Sequence, residues 1–165
     1  GNANQDLTGA LPSGLGDLGP AMGWLNLEGN QISGEVPTSL GAFTALTRLF
    51  LQRNGGITGV PTDIGALTGL IALDLGDNVI TALPTEMGAL TSMQYLLLED
   101  NALSSLPTEI GALTGLVNLD LEDNQLTGFP AELQTWDMSN NCVLASNDPG
   151  FSCANVGAGT ACCTA

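Results

Sequence analysis

The sequence predicts an α/β solenoid: a stack of short coils, each giving one strand to a parallel sheet and one short helical turn behind it. Three observations carry this reading. A unit with the core L-x-x-L-x-L-x-x-N-x-L recurs between Met22 and Val143. Its asparagines, Asn30, Asn54, Asn78, Asn101, Asn124 and Asn141, are spaced by 24, 24, 23, 23 and 17 residues. Each unit then continues into a proline-led segment whose apolar residues fall three apart, as in Ile64, Leu67 and Leu70. One such unit cannot bury its own apolar face, so copies of this length must stack on each other.

The strands are read from the alternating triplets Leu25–Leu27, Leu49–Leu51, Leu73–Leu75, Leu96–Leu98, Leu119–Leu121 and Trp136–Met138. Alternation with period two marks a half-buried strand, so the leucines are expected inside and the residues between them outside. An asparagine follows each triplet where the chain must turn, and its amide suits the backbone groups inside that bend. The segments Pro61–Gly69, Pro84–Ser92 and Pro107–Gly115 are short and contain glycine, so one or two turns, partly 3₁₀, are expected. Asn4 and Leu7 match Asn54 and Ile57, which suggests an earlier, incomplete coil that also uses Leu11, Leu15 and Leu18. The final unit is six residues short and is read as a transition into a cap.

With these residues in register, the chain resembles the leucine-rich repeat family over roughly residues 4–143. Two subclasses are mixed. Ser33-Gly34-Glu35-Val36-Pro37 and Thr58-Gly59-Val60-Pro61 resemble the plant-type repeat, whereas Ala82-Leu83-Pro84 and Ser105-Leu106-Pro107 resemble a shorter one. The resemblance implies a right-handed superhelix with the strands on a concave face and the helical or 3₁₀ turns on a convex one. The whole chain is then one domain: an incomplete first coil over 1–21, six repeats over 22–143 and a cap over 144–165. Extracellular members of the family usually carry a cysteine-bearing N-terminal cap, and this chain begins directly in repeat-like sequence.

The 165 residues include 17 acidic side chains, two arginines, and neither lysine nor histidine, for a net charge of −15. That charge argues against nucleic acid or anionic lipid as partner and favours cations or basic proteins. No stretch is long and apolar enough to insert in a membrane, and no segment reads as a signal peptide, so a processed or trimmed product is expected. The four cysteines, Cys142, Cys153, Cys162 and Cys163, cluster near the C-terminus. They suggest a disulfide-tied cap in an oxidising compartment, extracellular or lumenal, with Cys142 and Cys153 crossing to the vicinal pair. Zinc is the alternative, although C-x₂-C spacing is absent.

Register also converts the chain into surface columns, and these are not uniform. The first coils present Trp24, Arg48, Phe50 and Arg53, with Tyr95 further along. Aromatics and arginine are enriched where interfaces gain their energy, so these are candidate partner-binding residues. Packing between neighbouring side chains is the alternative. The later coils present Asp74, Asp77, Glu99, Asp100, Asp120, Glu122, Asp123 and Asp137. Carboxylates on coils about 4.8 Å apart repel by roughly 1 kcal/mol in water. The acidic strip therefore reads as a solvated face, as a seat for a basic protein, or as a calcium site centred on Asp120, Glu122 and Asp123.

Three hydroxyl ladders run along the coils: Thr38, Thr62, Thr85 and Thr108; Thr44, Thr68, Thr91 and Thr114; and Thr8, Ser33, Thr58, Thr81, Ser104 and Thr127. Capping of short turns accounts for the proline-adjacent threonines. Nothing supports catalysis: histidine and lysine are absent, as are a nucleophile elbow and a phosphate-binding glycine loop. The expected function is a secreted, non-enzymatic module, without a required cofactor, that binds a basic protein surface through its concave face. A structural subunit of a larger assembly is the alternative, with ice or surface binding through the threonine ladders behind it.

Overall fold

A computed structural model describes residues 7–135 and the short strand at 142–143. The strand triplets from Leu25 to Leu121 and the proline-led turns lie where the repeat predicts them. Strands β1 (Thr8–Gly9), β2 (Trp24–Asn26), β3 (Gln31–Glu35), β4 (Arg48–Phe50), β5 (Gly56–Gly59), β6 (Ala72–Asp74), β7 (Tyr95–Leu97), β8 (Asn118–Asp120) and β9 (Cys142–Val143) are interspersed with 3₁₀ turns, with β2 and β3, and β4 and β5, following each other directly. The turns are η1 (Leu15–Leu18), η2 (Thr38–Ala42), η3 (Thr62–Ala66), η4 (Thr85–Ala89), η5 (Thr108–Ala112) and η6 (Ala131–Thr135). One parallel sheet has the order β2-β4-β6-β7-β8-β9, with Leu25, Leu49, Leu73, Leu96 and Leu119 in a single register. Among the described residues no helix is long and apolar enough to cross a membrane.

The helical segments are fully 3₁₀, and the sequence shows why. Leu40, Phe43 and Leu46 are three apart and all buried, as are Ile64, Leu67 and Leu70. A turn of three residues keeps every one of them on the inner side, where an α-helix would rotate them off it. The backbone bonds match: Phe43 N–H donates to the Leu40 carbonyl (3.1 Å) and Leu46 N–H to that of Phe43 (2.8 Å). The prolines stand just outside these turns in extended conformation, Pro61 at φ −73° and ψ 157°. The threonines after them do not cap. Thr62, Thr85 and Thr108 donate instead to the adjacent carboxylates of Asp63, Glu86 and Glu109, at 3.4, 3.2 and 3.2 Å.

The asparagines do more than close their own bends. Asn78 Nδ2 donates to the Leu75 and Gly76 carbonyls of its own coil (3.0 and 3.1 Å) and to the Leu51 carbonyl of the preceding one (3.1 Å). Its Oδ1 accepts from Ile57 N–H, also on the preceding coil, at 3.3 Å. Asn54, Asn101 and Asn124 repeat the pattern, and all are buried. On the back, glycine sets the stacking distance. A Cβ at Gly88 would lie 2.7 Å from the Glu109 carbonyl oxygen, and one at Gly65 would lie 2.9 Å from Glu86 Cβ.

Three features differ from the sequence reading. A second parallel sheet, β1-β3-β5, lies beyond the asparagine turns of the early coils. Pro37 and Pro61 lie seven positions after their asparagines, whereas Pro84, Pro107 and Pro130 lie six after theirs. The longer connection has room for a paired strand and the shorter one does not. In the first coil, Leu15 is buried but Leu7 and Leu18 stay exposed, so only part of that leucine set enters the core.

The last strand is also displaced. Trp136–Met138 was expected to continue the sheet, yet Leu119 pairs with Cys142 and Asp120 with Val143. Pro37, Pro61, Pro84 and Pro107 each precede the inward leucine of the next strand, Leu49, Leu73, Leu96 and Leu119, by twelve positions. Counting twelve from Pro130 gives Cys142, and Asn147 then restores the 23-residue spacing from Asn124. The sixth copy is full length, with cysteine in a leucine position. Asp137 lies outside the described residues, and Val143 holds the strand position beside Asp120. Cys153, Cys162 and Cys163 lie outside them too, as does the Cys142 side chain.

Asn78→Ala removes four hydrogen bonds and leaves the Ile57 N–H without its acceptor, and it is expected to destabilise the fold by about 3 kcal/mol in urea unfolding. Gly88→Ala forces coils apart on the back and is expected to cost about 1–3 kcal/mol in the same measurement.

Candidate functional site

The candidate site is the open face of the six-stranded sheet, built by the residues between and beside the inward leucines. Parallel pairing places Trp24, Arg48, Ala72, Tyr95 and Asn118 in one row, and Asn26, Phe50, Asp74, Leu97 and Asp120 in the next. Trp24 is 58% exposed and Tyr95 44%. The Trp24 and Phe50 rings meet edge to face, with centroids 6.4 Å apart at 79°. Exposed aromatic side chains gathered on one sheet face are informative, because contiguous apolar patches mark interaction surfaces. Arg48, also exposed, has no ion pair among the described residues.

Asn26 and most of the acidic residues of this face fall into three structural kinds. Asn26, Asp74 and Asp120 terminate their strands: each Oδ1 accepts the backbone N–H two residues on, from Glu28 (2.9 Å), Gly76 (3.1 Å) and Glu122 (3.1 Å). Asp77, Asp100 and Asp123 occupy the left-handed region, with φ between 50° and 53°, in the same turn position as Gly29 and Arg53. Aspartate tolerates that conformation better than most side chains, so this column has a backbone reason to be acidic. Arg53 sits there at φ 58°, which costs about 1 kcal/mol. Its guanidinium bridges Glu28 at 3.4 Å and Asp77 at 3.7 Å. These exposed pairs together return roughly as much.

Glu99 is the third kind. Its carboxylate folds over the bare Cα of Gly76 on the preceding coil, and Oε2 is buried without a hydrogen-bond partner. Desolvation raises its pKa from 4.5 to about 7, reinforced by Asp74, Asp120 and Asp77 and opposed by its own backbone N–H. Desolvation is also the first cause of the raised pKa of Asp74, with Glu28 and Asp77 adding to it against Gly76 N–H and Arg53. Asp120 is raised the same way, with Asp100 and Asp123 contributing, and Asp100 is raised by partial desolvation and by Asp77 and Asp123. Among the described residues no three carboxylate, thiol or imidazole groups gather as a metal ion requires.

The structure therefore brings Trp24, Arg48, Phe50, Asp74, Tyr95 and Asp120 together on one face, with Glu99 and Glu122 along its border. Arg53, Asp77, Asp100 and Asp123 lie past the strand ends, in the turns. Sequence reasoning missed Ala72, the small residue between Arg48 and Tyr95, although column register points to it. It also missed Gln52, whose Oε1 is buried beside the site without a donor.

A stack of coils, each giving one strand to an open parallel sheet, belongs to the class of repeat-built solenoids. Leucine-rich repeat models match residues 23–43 and 44–103. Among solved structures, the chain is similar to the ectodomain of the plant membrane receptor kinase GASSHO1/SCHENGEN3 from Arabidopsis thaliana, in complex with Casparian strip integrity factor 2. That match has 34% identity and a TM-score of 0.75, and covers 86% of this chain and 17% of the other. It is similar to a chain of the BIR3–SERK2 complex from the same plant, at 31% identity and a TM-score of 0.65 over 78% of this chain and 68% of the other. It is also similar to a plant ice-binding protein, at 28% identity and a TM-score of 0.63 over 70% of this chain and 39% of the other. A comparison with curated protein sequences returns no match. The chain belongs to the leucine-rich repeat family. It spans only about a sixth of the receptor ectodomain it matches.

The raised Glu99 pKa fixes a sign. The folded state holds this proton more tightly than the unfolded chain, so stability falls as pH rises from 4.5 to about 7 and levels off above. Glu99→Gln is expected to raise Tm at pH 8 and to leave it nearly unchanged at pH 4, as read by thermal melts at both values.

Proposed function

We propose that this chain is a non-enzymatic recognition module that binds a protein or peptide partner on its sheet face, the concave side of the superhelix. One observation carries the reading: the exposed aromatics Trp24 and Tyr95, the exposed Arg48 and the acidic border share one continuous surface. Aromatic anchors beside charge are the composition of energetic interface centres. The similar receptor ectodomain in complex with a protein factor supports a peptide or protein as partner, and an extracellular setting. The negative field favours a partner with a basic surface, and no cofactor enters the reading.

Capture from the native source tests this. The double substitution Trp24→Ala/Tyr95→Ala is expected to weaken partner retention at least about tenfold while the melting curve is preserved. Equal retention by this variant would remove the sheet face as the binding surface.

A second reading rests on the flank beyond the asparagine turns. There Thr8, Ser33, Thr58, Thr81, Ser104 and Thr127 are all exposed, one to each coil, and the similar plant ice-binding protein favours adsorption to ice. The ladder Thr62, Thr85 and Thr108 suits this less, because its hydroxyls are turned onto carboxylates. Thermal hysteresis that is abolished by Thr58→Lys/Thr81→Lys would support the second reading. Freezing and melting at the same temperature would end it.

A further inference from the structure

We propose that the step over Ala72 is a seat for a single lysine side chain presented by an extended segment of a protein partner. The inference rests on the sheet-face reading and gives it a chemistry. Register places Ala72 directly between Arg48 and Tyr95, and Asp74 directly between Phe50 and Leu97. With strands about 4.8 Å apart, Arg48 and Tyr95 stand about 10 Å from each other across a residue that ends at Cβ. The gap is as wide as one unbranched side chain lying between two walls. Its walls are the Arg48 stem and the Tyr95 ring, continued at the level of Asp74 by Phe50 and Leu97.

The charged end of the gap lies two residues along the strand. Asp74 stands on the floor, Glu99 lies over Gly76 beside it, and Glu28 and Asp77 add to the negative field there. Among the described residues no hydrogen-bond donor reaches the buried Glu99 Oε2, so no donor offsets the charge of this carboxylate from below. The nearby cations of this chain do not fill the need: Arg53 is held by Glu28 and Asp77, and Arg48 lines the gap from the other side. A side chain with an apolar stem and a donor-only tip matches both halves of the site.

Lysine fits better than arginine for a geometric reason. A guanidinium gains most from one carboxylate that offers two free oxygens. Here Asp74 Oδ1 is held by Gly76 N–H at 3.1 Å, and Glu99 Oε2 is buried. Each carboxylate is left with one oxygen to offer. An ammonium, with three donors that can diverge, is able to use one from each.

The test uses short fluorescein-labelled peptides carrying a central lysine, arginine or norleucine between two phenylalanines, read by fluorescence anisotropy. The lysine peptide is expected to bind at least about tenfold more tightly than the norleucine one, and more tightly than the arginine one. Ala72→Phe and the pair Asp74→Asn/Glu99→Gln are each expected to weaken the lysine peptide about tenfold. The charge-matched pair Glu86→Gln/Glu109→Gln on the back is expected to change it by less than twofold. Circular dichroism melts confirm that each variant is folded. If the back pair weakens binding as much as the front pair, the attraction is diffuse charge and the lysine seat is overturned. Arginine preference, insensitivity to Ala72→Phe, or no binding also overturns it. The sheet-face reading is scored separately by Trp24→Ala. If that variant weakens the norleucine peptide while lysine gives no advantage, the sheet face stands and the seat falls. If it changes neither peptide, both fall.

Discussion

The rest of this structure depends on the buried asparagine rungs. Backbone at the end of each strand must turn sharply while enclosed by leucines, and its carbonyls and N–H groups have no water to meet. One amide per coil resolves this, bonding carbonyls of its own coil and groups of the preceding one. Because the partners lie on both coils, the rung fixes their relative register as well as the turn. A neutral donor–acceptor side chain of this length is required. Aspartate has no donor, and leucine would leave several polar groups buried without partners.

That register is what makes the surface chemically meaningful. Once the coils are locked, every residue belongs to a column, and many columns are dictated by the scaffold. The glycines behind permit close stacking of the 3₁₀ turns. The position before each asparagine must accept a left-handed backbone, which accounts for Gly29, Asp77, Asp100 and Asp123. In the strand-face rows only Asn26, Asp74 and Asp120 bond the backbone at the strand ends, and there the side chains change abruptly from Trp24, Arg48 and Phe50 to Ala72. Variation where the scaffold imposes nothing is where recognition chemistry can reside. Arg53 is an exception in the constrained column, an arginine in left-handed backbone held by two carboxylates.

Much of this was legible in the residues. Leu25 to Leu121 and the asparagines from Asn30 to Asn124 report burial directly, because period two and period three select different structures. The exposed Trp24 and Tyr95 followed from register alone. Other features were hidden for physical reasons. The second sheet is written in glycine, serine and threonine, which give no alternating apolar signal, so only the extra residue before Pro37 and Pro61 marks it. The sixth strand was obscured because Cys142 replaces a leucine while Trp136-Asp137-Met138 imitates the alternation. The Asp77, Asp100 and Asp123 column looked like a charge feature, since backbone dihedrals are invisible in composition. The raised Glu99 pKa has no sequence signature, because it arises from a carboxylate folded onto the coil before it.

Native-state hydrogen exchange at Ile32, Ile57, Ile80 and Leu103 tests the central claim most directly, because each of these amides donates to the asparagine Oδ1 of the next coil. If the rungs hold the coils in register, these protons exchange only when the sheet opens. Their protection then equals that of strand-to-strand amides such as Leu51, Leu75 and Leu98. Exchange at the four positions roughly a hundredfold or more faster than at those amides would show rungs that open while the sheet stays closed, and would contradict the account.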